Sequence, residues 1–338
     1  MQSDAAPDSP LQGFAKLVDE MVKDTVPRGD PRVVFDTVVT NINYGACGGG
    51  SPGPIVVTTR DGRVYTANHE VISTLPLGVL MKNHSTLFDP PVPRKQAELL
   101  SPASRFRMGN LTHVVVQFPV VWWDNGLVKW LSANKGSNTS AAGGPDGSGA
   151  NAAGEFSLWH NLNHADFLPG SHTLLTFLGD PQSSVYEGMP DAAVQAALVA
   201  RIKAQHPKLT IPQPSAFFIS RHGYDRNSYG AYSISLVGWN DNDHDTLKAP
   251  LRACETDTVR VRLAGEAMCD DLNGCKTAST AKRAALPWFG VVAFGQCGWL
   301  FSVLFCPCFV LRNSIAILVA QMRSPVLLAP PPIHQSLC

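Results

Sequence analysis

The chain has 338 residues, of which 44% are hydrophobic and only 16% are charged, so it can bury the core of one large domain or two ordinary ones. Its 27 basic and 27 acidic residues give a net charge of zero. This balance removes the general reason to expect nucleic-acid binding, because such binding depends on neutralising phosphates. It also provides no bulk attraction for a polycationic ligand, so any such attraction has to be local.

The cysteines and the N-terminus give no sign of a metal site or of secretion. The eight cysteines lack paired zinc-ligand spacing, and the run Cys306-Pro307-Cys308 is too short and its surroundings too apolar for a metal. We therefore expect buried, reduced thiols and no metal site. The opening residues, MQSDAAPDSP, lack a basic region followed by an apolar core, so they predict no signal peptide. An intracellular location is favoured.

The first part of the chain predicts a loose leader, then a helix, then β-strands. Residues 1–12 form the leader, and apolar residues recur at helical spacing over residues 13–23. The Asp61-Gly62 pair is typical of a hairpin turn between two strands. Runs of β-branched and aromatic residues predict strands over residues 33–35, 38–44, 55–59, 63–67 and 70–74.

The middle of the chain predicts a mixture of strands and helices. Pro190 and Asp191 suit the first turn of a helix, because proline needs no backbone donor there and aspartate matches the helix dipole. Residues 132–154, rich in Gly, Ala, Ser and Asn, are typical of a flexible surface insertion. The apolar stripe of the predicted helix consists of Val194, Leu198 and Ile202. Further strands are predicted over residues 112–118, 174–178 and 216–220.

An uncharged segment near the C-terminus, residues 286–311, allows three interpretations. It exceeds the roughly 20 apolar residues that a bilayer span needs, and basic residues flank it on both sides. These features indicate a membrane anchor. Three glycines and Pro307 inside the segment weaken that interpretation. A buried apolar segment, or sequence that does not belong to the fold, are the alternatives.

Several motifs follow one another in a fixed order along the chain. They are TLPLGVL at 74–80, PPVP at 90–93, MGNLTHVVVQF at 108–118, SRH with GAYS between 220 and 233, and LAGEA at 263–267. In this order the motifs closely resemble the flavin-containing amine oxidases, in particular the polyamine oxidases and the lysine-specific histone demethylases. The resemblance covers residues 13–276.

The resemblance implies a mixed α/β fold with two domains. Residues 13–80 and 251–286 would form part of a Rossmann-like FAD-binding domain. Residues 81–250 would form a substrate-binding domain with a mixed sheet flanked by helices, and residues 287–338 an apolar tail. The family holds the FAD pyrophosphate with a G-x-G-x-x-G turn that opens a helix. The formal match here, residues 48–53, lies between predicted strands, so we expect the usual dinucleotide loop to be lacking.

The resemblance also implies which residues hold the cofactor. Glu266 matches a glutamate that accepts hydrogen bonds from cofactor hydroxyls, with a surface acid as the alternative. Val39 matches a position on the adenine side, although a plain strand-core role fits it equally. Thr74, Leu75 and Pro76 match a turn that lies against the cofactor.

Four further positions matter because they lie beside the flavin in the family. Tyr232 matches an aromatic wall for the substrate amine, with core packing as the alternative. His113 stands where the family has a lysine that holds a water molecule. The alternative is a strand histidine with no role in the site. His222 replaces a tryptophan, so a gap or a reoriented ring is expected. Gly274 keeps the first glycine of a turn that faces the flavin.

The implied activity is FAD-dependent oxidation of an amine or polyamine. The carbon beside the nitrogen gives a hydride to the flavin, the imine is hydrolysed, and oxygen regenerates the flavin with release of hydrogen peroxide. The changes at His113 and His222 leave a second hypothesis, a silent fragment or binding remnant that holds no FAD. A third is that the chain is part of a longer enzyme, in which case unpaired sheet edges predict poor solubility.

Overall fold

The computed structural model describes residues 29–45, 53–132, 155–253 and 258–268. The strands in these ranges are β1 (Val39–Asn43), β2 (Ile55–Thr59), β3 (Val64–Ala67), β4 (Val71–Ser73), β5 (Phe88–Asp89), β6 (Phe106–Gly109), β7 (Leu111–Gln117), β8 (Lys129–Leu131), β9 (Leu158–Asn161), β10 (Thr173–Gly179), β11 (Ala216–Ile219), β12 (Tyr232–Ser235), β13 (Leu251–Arg252) and β14 (Val259–Leu263). The helices are α1 (Leu77–Leu87), α2 (Arg94–Leu99), α3 (Gln182–Glu187), α4 (Asp191–Gln205) and α5 (Asp241–Lys248), and a 3-10 turn covers Glu266–Met268.

The strands form sheets of mixed direction. Their orders are β3-β2-β1-β5, β11-β7-β10-β9-β8, β12-β6 and β13-β14-β4. Strands β1 and β5 run parallel, as do β4 and β14, whereas the five-stranded sheet is antiparallel throughout. Helices are interleaved with these strands along the chain. The predicted mixed α/β class is therefore confirmed.

The first hydrophobic core joins segments that are far apart in the sequence. It combines β1, β2, β4, β5, α1 and α2 with β14 and α5. The side-chain amide of Gln96, itself buried, donates hydrogen bonds to the carbonyl oxygens of Leu247 and Ala249, at 2.7 and 2.8 Å. Val71 and Val261 are register partners in the parallel pair of β4 and β14. The core is thus closed by long-range contacts.

The second hydrophobic core is built from one continuous stretch of chain. Burial alternates along β7, as the period of two in a half-buried strand requires, and Val114 and Val116 are fully buried. Val194, Leu198 and Ile202 of α4 are also fully buried and belong to the same core. This core packs one face of the five-stranded sheet against helices.

The opposite face of that sheet is only partly covered. Residues that pair directly across neighbouring strands project to the same side of a sheet. The strand register therefore shows which side chains lie on this face. We call this surface the open face, and eight of the residues on it are Lys129, Leu131, His160, Leu175, Phe177, His113, Val115 and Phe218. All eight are half-buried or exposed.

Most of the predicted strands, and the helix predicted to begin at Pro190, are confirmed to within two residues. The Asp61-Gly62 hairpin is also confirmed, with Gly62 at φ +82° and the Thr59 amide donating to the Arg63 carbonyl at 3.0 Å. The strand predicted over residues 33–35 is wrong. These residues follow a turn in which Arg32 is bonded to Asp30, and Phe35 is 58% exposed. Apolar composition does not make a strand without a neighbouring strand to pair with.

Several predictions fall outside the described residues. They are the leader, the helix over residues 13–23, almost all of the formal G-x-G-x-x-G match, residues 133–154 of the insertion, Gly274, and the apolar segment 286–311. Among the helices that the structure does describe, none has the length and apolar content needed to cross a bilayer.

Candidate functional site

Three of the predicted cofactor residues line one concavity. Val39 of β1 and the Thr74-Leu75 pair after β4 share its wall with residues of β1, β2 and β4, namely Ile42, Val57, Val71, Ile72 and Ser73. The lining is mostly apolar, and Ser73 and Thr74 are its polar members. The hydroxyl oxygen of Ser73 is buried and has no hydrogen-bond partner. A buried hydroxyl without a partner is costly, so this position fits a ligand that supplies a polar atom.

Pro76 ends the connection between β4 and α1. It is the N-cap residue of α1 and has extended ψ at 150°, with no side-chain cap. The first turn of the helix lies very close to another loop, because a Cβ atom on Gly78 would be 2.2 Å from the carbonyl oxygen of Ser228. Only glycine allows this approach. The loop that carries His222 is therefore held against the start of α1.

Glu266 lies at the end of β14, beside the concavity. Gly265 has φ +129°, a backbone conformation that glycine adopts most readily, and the chain turns there into the 3-10 turn. The Ala264 amide donates to the Ser73 carbonyl at 2.9 Å, which ties the end of β14 to the end of β4. Glu266 is thus brought next to Thr74, as the resemblance implies.

The carboxylate of Glu266 also contacts the strand that carries Tyr232. Ser233 donates from its backbone amide to both oxygens, each at 3.2 Å, and from its hydroxyl to Oε1 at 2.6 Å. A carboxylate has about four acceptor positions, so further hydroxyl donors can still be accommodated. This contact brings Glu266 and Tyr232 to the same part of the molecule. Ser233 was not singled out by the sequence, because a serine in a strand has no distinctive pattern.

A buried histidine fixes the turn that presents Glu266. The Nε2 atom of His244 in α5 lies 2.9 Å from the carbonyl oxygen of Ala267. The His244 ring makes edge contacts with Phe106 and Trp239, whose rings stack on each other at 4.5 Å. This support was also missed. The one signal available for it was the Asn240-x-x-Asp243 cap that starts α5.

His113 and His222 contact each other and form a second group of predicted residues. Their ring centroids are 5.9 Å apart, and His113 makes an edge contact with its register partner Phe177 at 4.9 Å. Burial, with a smaller contribution from the charge of His222, lowers the pKa of His113 to about 4. His113 is therefore neutral at neutral pH and can donate one hydrogen bond and accept one, whereas the lysine it replaces can only donate.

A buried carboxylate holds both histidines in place. Glu187 of α3 accepts a hydrogen bond from the Thr112 hydroxyl at 2.7 Å through Oε1. Its Oε2 accepts from the backbone amide of Gly223 at 2.8 Å. Thr112 precedes His113 and Gly223 follows His222, so one side chain joins the two segments. Glu187 escaped the sequence analysis, because an acid at the end of a short helix is usually a surface residue.

The structure therefore divides the predicted residues into two groups. Val39, Thr74 and Leu75 line the concavity, Glu266 follows Gly265 beside Thr74, and Tyr232 is close to Glu266 through Ser233. The second group, His113 and His222, lies on the open face and its adjoining loop. Nowhere in the described ranges do three or more metal-ligating side chains come together.

Glu266 and the concavity lie at the end of the parallel pair of β4 and β14, and the ends of parallel strands are a common place for ligands in α/β proteins. The family model for flavin-containing amine oxidoreductases matches residues 6–285. The chain belongs to this family, which implies a flavin cofactor.

Individual relatives are similar to the chain over most of its length. The chain is 26% identical over 245 residues to polyamine oxidase 1 of Zea mays, covering 72% of this chain and 42% of the relative. It is 27% identical to the peroxisomal N(1)-acetyl-spermine/spermidine oxidase of Homo sapiens, over 70% of this chain and 46% of the relative. The chain thus spans less than half the length of these relatives.

Solved structures of a redesigned putrescine oxidase are also similar to the chain. A triple mutant has a TM-score of 0.47 at 14% identity and covers 75% of this chain and 47% of that one. A double mutant has a TM-score of 0.48 at 15% identity, with 70% and 44% covered. The assignment rests on the family match and not on these likenesses.

Proposed function

We propose that this chain provides the substrate side and part of the cofactor side of an FAD-dependent amine oxidase. The observation that supports this most is the concavity beside Glu266, which is lined by Val39, Thr74 and Leu75 and contains the unpartnered Ser73 hydroxyl. Its apolar walls suit contact with one part of a cofactor and not enclosure of the whole group, and the hydroxyl and carboxylate suit the polar groups of a nucleotide or ribityl chain.

When bound, FAD would accept a hydride from the carbon beside the amine nitrogen. Oxygen would then reoxidise the reduced flavin, with release of hydrogen peroxide. The residues of this chain bind and orient. Glu266 accepts hydrogen bonds from cofactor hydroxyls while Ser233 keeps its carboxylate in place. Tyr232 forms an aromatic wall for the amine. Neutral His113 holds a water by one hydrogen bond on the substrate side.

Domain boundaries at residues 80 and 250 are part of this proposal. The proposal also includes two roles beside the cofactor. Pro76 ends the turn that lies against it, and the His222 ring lies beside the flavin. In the proposed arrangement His222, smaller than the tryptophan it replaces, is held by Glu187 through Gly223. Gly274 would supply a backbone position facing the flavin.

The visible absorption spectrum tests this function. The purified chain is refolded with FAD, freed of excess, and then mixed without oxygen with benzylamine and, separately, with spermine. A retained flavin band that one of these amines bleaches is the expected result. A colourless protein, or a band that neither amine bleaches, contradicts the proposal.

A second candidate is a binding remnant that holds no FAD. The observation that favours it is the hydrogen bonding of Glu266, whose two oxygens already accept from the Ser233 amide. In addition, the G-x-G-x-x-G match at residues 48–53 lies between two predicted strands, whereas a dinucleotide-binding loop lies between a strand and a helix. A protein that folds, remains colourless after FAD treatment and still binds an amine would establish this alternative.

A further inference from the structure

The two oxygens of the Glu266 carboxylate are held unequally by Ser233. Oε1 accepts from the Ser233 hydroxyl at 2.6 Å and from the Ser233 amide at 3.2 Å. Oε2 shares that amide at 3.2 Å and has no second partner in the part of the chain that the structure describes. A hydroxyl-to-carboxylate bond of this length is among the strong hydrogen bonds in proteins. Because a carboxylate has about four acceptor positions, Oε2 keeps the greater capacity for a ligand.

Ser233 has a defined position, because its strand packs closely against β6. It is the register partner of Met108 in the antiparallel pair of β12 and β6. A Cβ atom on Gly230, just before β12, would overlap the Met108 side chain. A Cβ atom on Gly109 of β6 would be 2.9 Å from Cγ2 of Ile234. Glycine allows such a close approach, so the strand pair is tightly packed and presents the Ser233 hydroxyl from a fixed place.

The backbone around Glu266 is fixed separately from its side chain. The Nε2 atom of His244 lies 2.9 Å from the carbonyl oxygen of Ala267, the next residue along the turn. This contact sets the backbone of the turn and leaves the side-chain torsions of Glu266 undetermined. A ligand that has to fix a long side chain loses affinity, because the ordering costs conformational entropy. The bonds from Ser233 impose that order before a ligand arrives.

We infer that Ser233 is a positioning residue that orients the Glu266 carboxylate and leaves Oε2 as the atom that accepts from a ligand hydroxyl. The inference rests on the proposed function, in which Glu266 accepts hydrogen bonds from the cofactor. The competing interpretation is that the Ser233 hydroxyl occupies the carboxylate in place of a ligand. The two interpretations predict opposite changes in FAD affinity when the hydroxyl is removed.

Titration of the full chain with FAD, followed by the quenching of flavin fluorescence, measures this change. Ser233→Ala is expected to raise the dissociation constant about fivefold to tenfold, because the carboxylate is no longer held ready. Ser233→Thr keeps the hydroxyl in a residue that suits a strand, and it should stay within about twofold of the parent. Ser235→Ala, at an exposed residue of the same strand, is the control and should leave the affinity unchanged.

A double-mutant cycle with Glu266→Ala separates positioning from a general structural role. In the Glu266→Ala background, Ser233→Ala should change the dissociation constant by less than about twofold, because the group that the hydroxyl positions is gone. An undiminished effect in that background overturns the inference. Nuclear magnetic resonance of the chain without FAD gives a second readout. The carboxyl carbon signal of Glu266 should move in Ser233→Ala and return in Ser233→Thr, and an unmoved signal also overturns the inference.

The same titrations distinguish failure of this inference from failure of the proposed function. If the parent binds FAD and Ser233→Ala binds it equally or more tightly, the positioning role is refuted and the cofactor role stands. If the parent binds no FAD, the proposed function is refuted and the positioning role falls with it. Weaker binding by Ser233→Ala, recovered in Ser233→Thr and absent from the Glu266→Ala background, is the result that we expect.

Discussion

The two hydrophobic cores differ in how they are assembled. The described residues of the second core lie between Val114 and Ile219, and the strands of its antiparallel sheet pair residues no more than 105 positions apart. The first core depends on pairs such as Val71 with Val261 and Gln96 with Leu247. The concavity and Glu266 belong to this long-range core. The difference implies that the cofactor side of the site forms more slowly during folding, because its strand ends are fixed only when distant segments meet.

The largest effect is expected where one side chain closes the first core. Arg260 of β14 is 2% exposed and donates to the backbone carbonyls of Tyr44, Gly53 and His69. Arg260→Met leaves these carbonyls without their donor and should lower the free energy of unfolding by about 3 kcal/mol. Urea denaturation measures this loss. The control Arg107→Met, at an exposed arginine of β6, should cost less than about 0.5 kcal/mol.

A somewhat smaller loss is expected from Glu187 in the region of the second core. Glu187→Ala removes the acceptor of the Thr112 hydroxyl and of the Gly223 amide, at a cost of about 2 kcal/mol. Glu187→Gln keeps one acceptor oxygen and should cost about half as much. Thermal unfolding compares the variants. Equal stability of Glu187→Ala and the parent would contradict the positioning role of this carboxylate.

The pH dependence of stability isolates His113. Its folded pKa, about 4, lies below the ordinary value of 6.5, so protonation favours the unfolded chain. The stabilisation is complete above pH 6.5 and is lost as the pH falls toward 4. Because the ring is partly solvated, we expect a loss of about 1 to 2 kcal/mol and not the full value of the shift.

Comparison with His113→Leu separates this contribution from that of the other histidines. His160 and His206, whose pKa values burial also lowers, are present in both proteins. The unfolding free energies of parent and variant are measured at pH 7.5 and pH 4.5. The parent should lose more stability than the variant, and an identical loss would refute the assignment to His113.

The smallest effect is expected at the cap of α5. Asn240 accepts a hydrogen bond from the Asp243 amide, and Asp243 accepts one in return from the Asn240 amide. Asn240→Ala should destabilise the protein by about 1 kcal/mol. Because α5 carries His244, which supports Ala267, the variant should also weaken FAD binding, whereas Asn242→Ala in the same helix should leave it unchanged. Fluorescence of bound FAD measures the difference.

The parts of the fold that follow local patterns were predictable from the sequence. Apolar residues alternate along β7 and β10, and they recur as Val194, Leu198 and Ile202 at helical spacing in α4. In each case one face of the element is buried, so the spacing of apolar residues predicts the element. Strand partners were not predictable in this way. Nothing in residues 71–73 indicates that their neighbour is β14, because a buried parallel strand is apolar on both sides.

The residues of the candidate site likewise divide into those that the sequence reveals and those that only tertiary contacts reveal. Glu266 and the Thr74-Leu75 pair were found through motif order and Val39 through its match to a family position, and the structure places Val39, Thr74 and Leu75 around one concavity. Ser233 and His244, which hold the carboxylate and its turn, are common residue types without a local signature. Their contribution comes from tertiary contacts alone, so a single sequence could not reveal it.

The central claim is that the concavity beside Glu266 binds FAD, and a titration of the folded chain with FAD tests it most directly. Parent, Glu266→Gln and the exposed control Glu98→Gln are compared by the quenching of flavin fluorescence. We predict saturable binding by the parent and the control, and a dissociation constant about tenfold or more higher for Glu266→Gln, as the loss of a charged acceptor implies. Absence of saturable binding by the parent, or equal affinity of Glu266→Gln, would contradict the account.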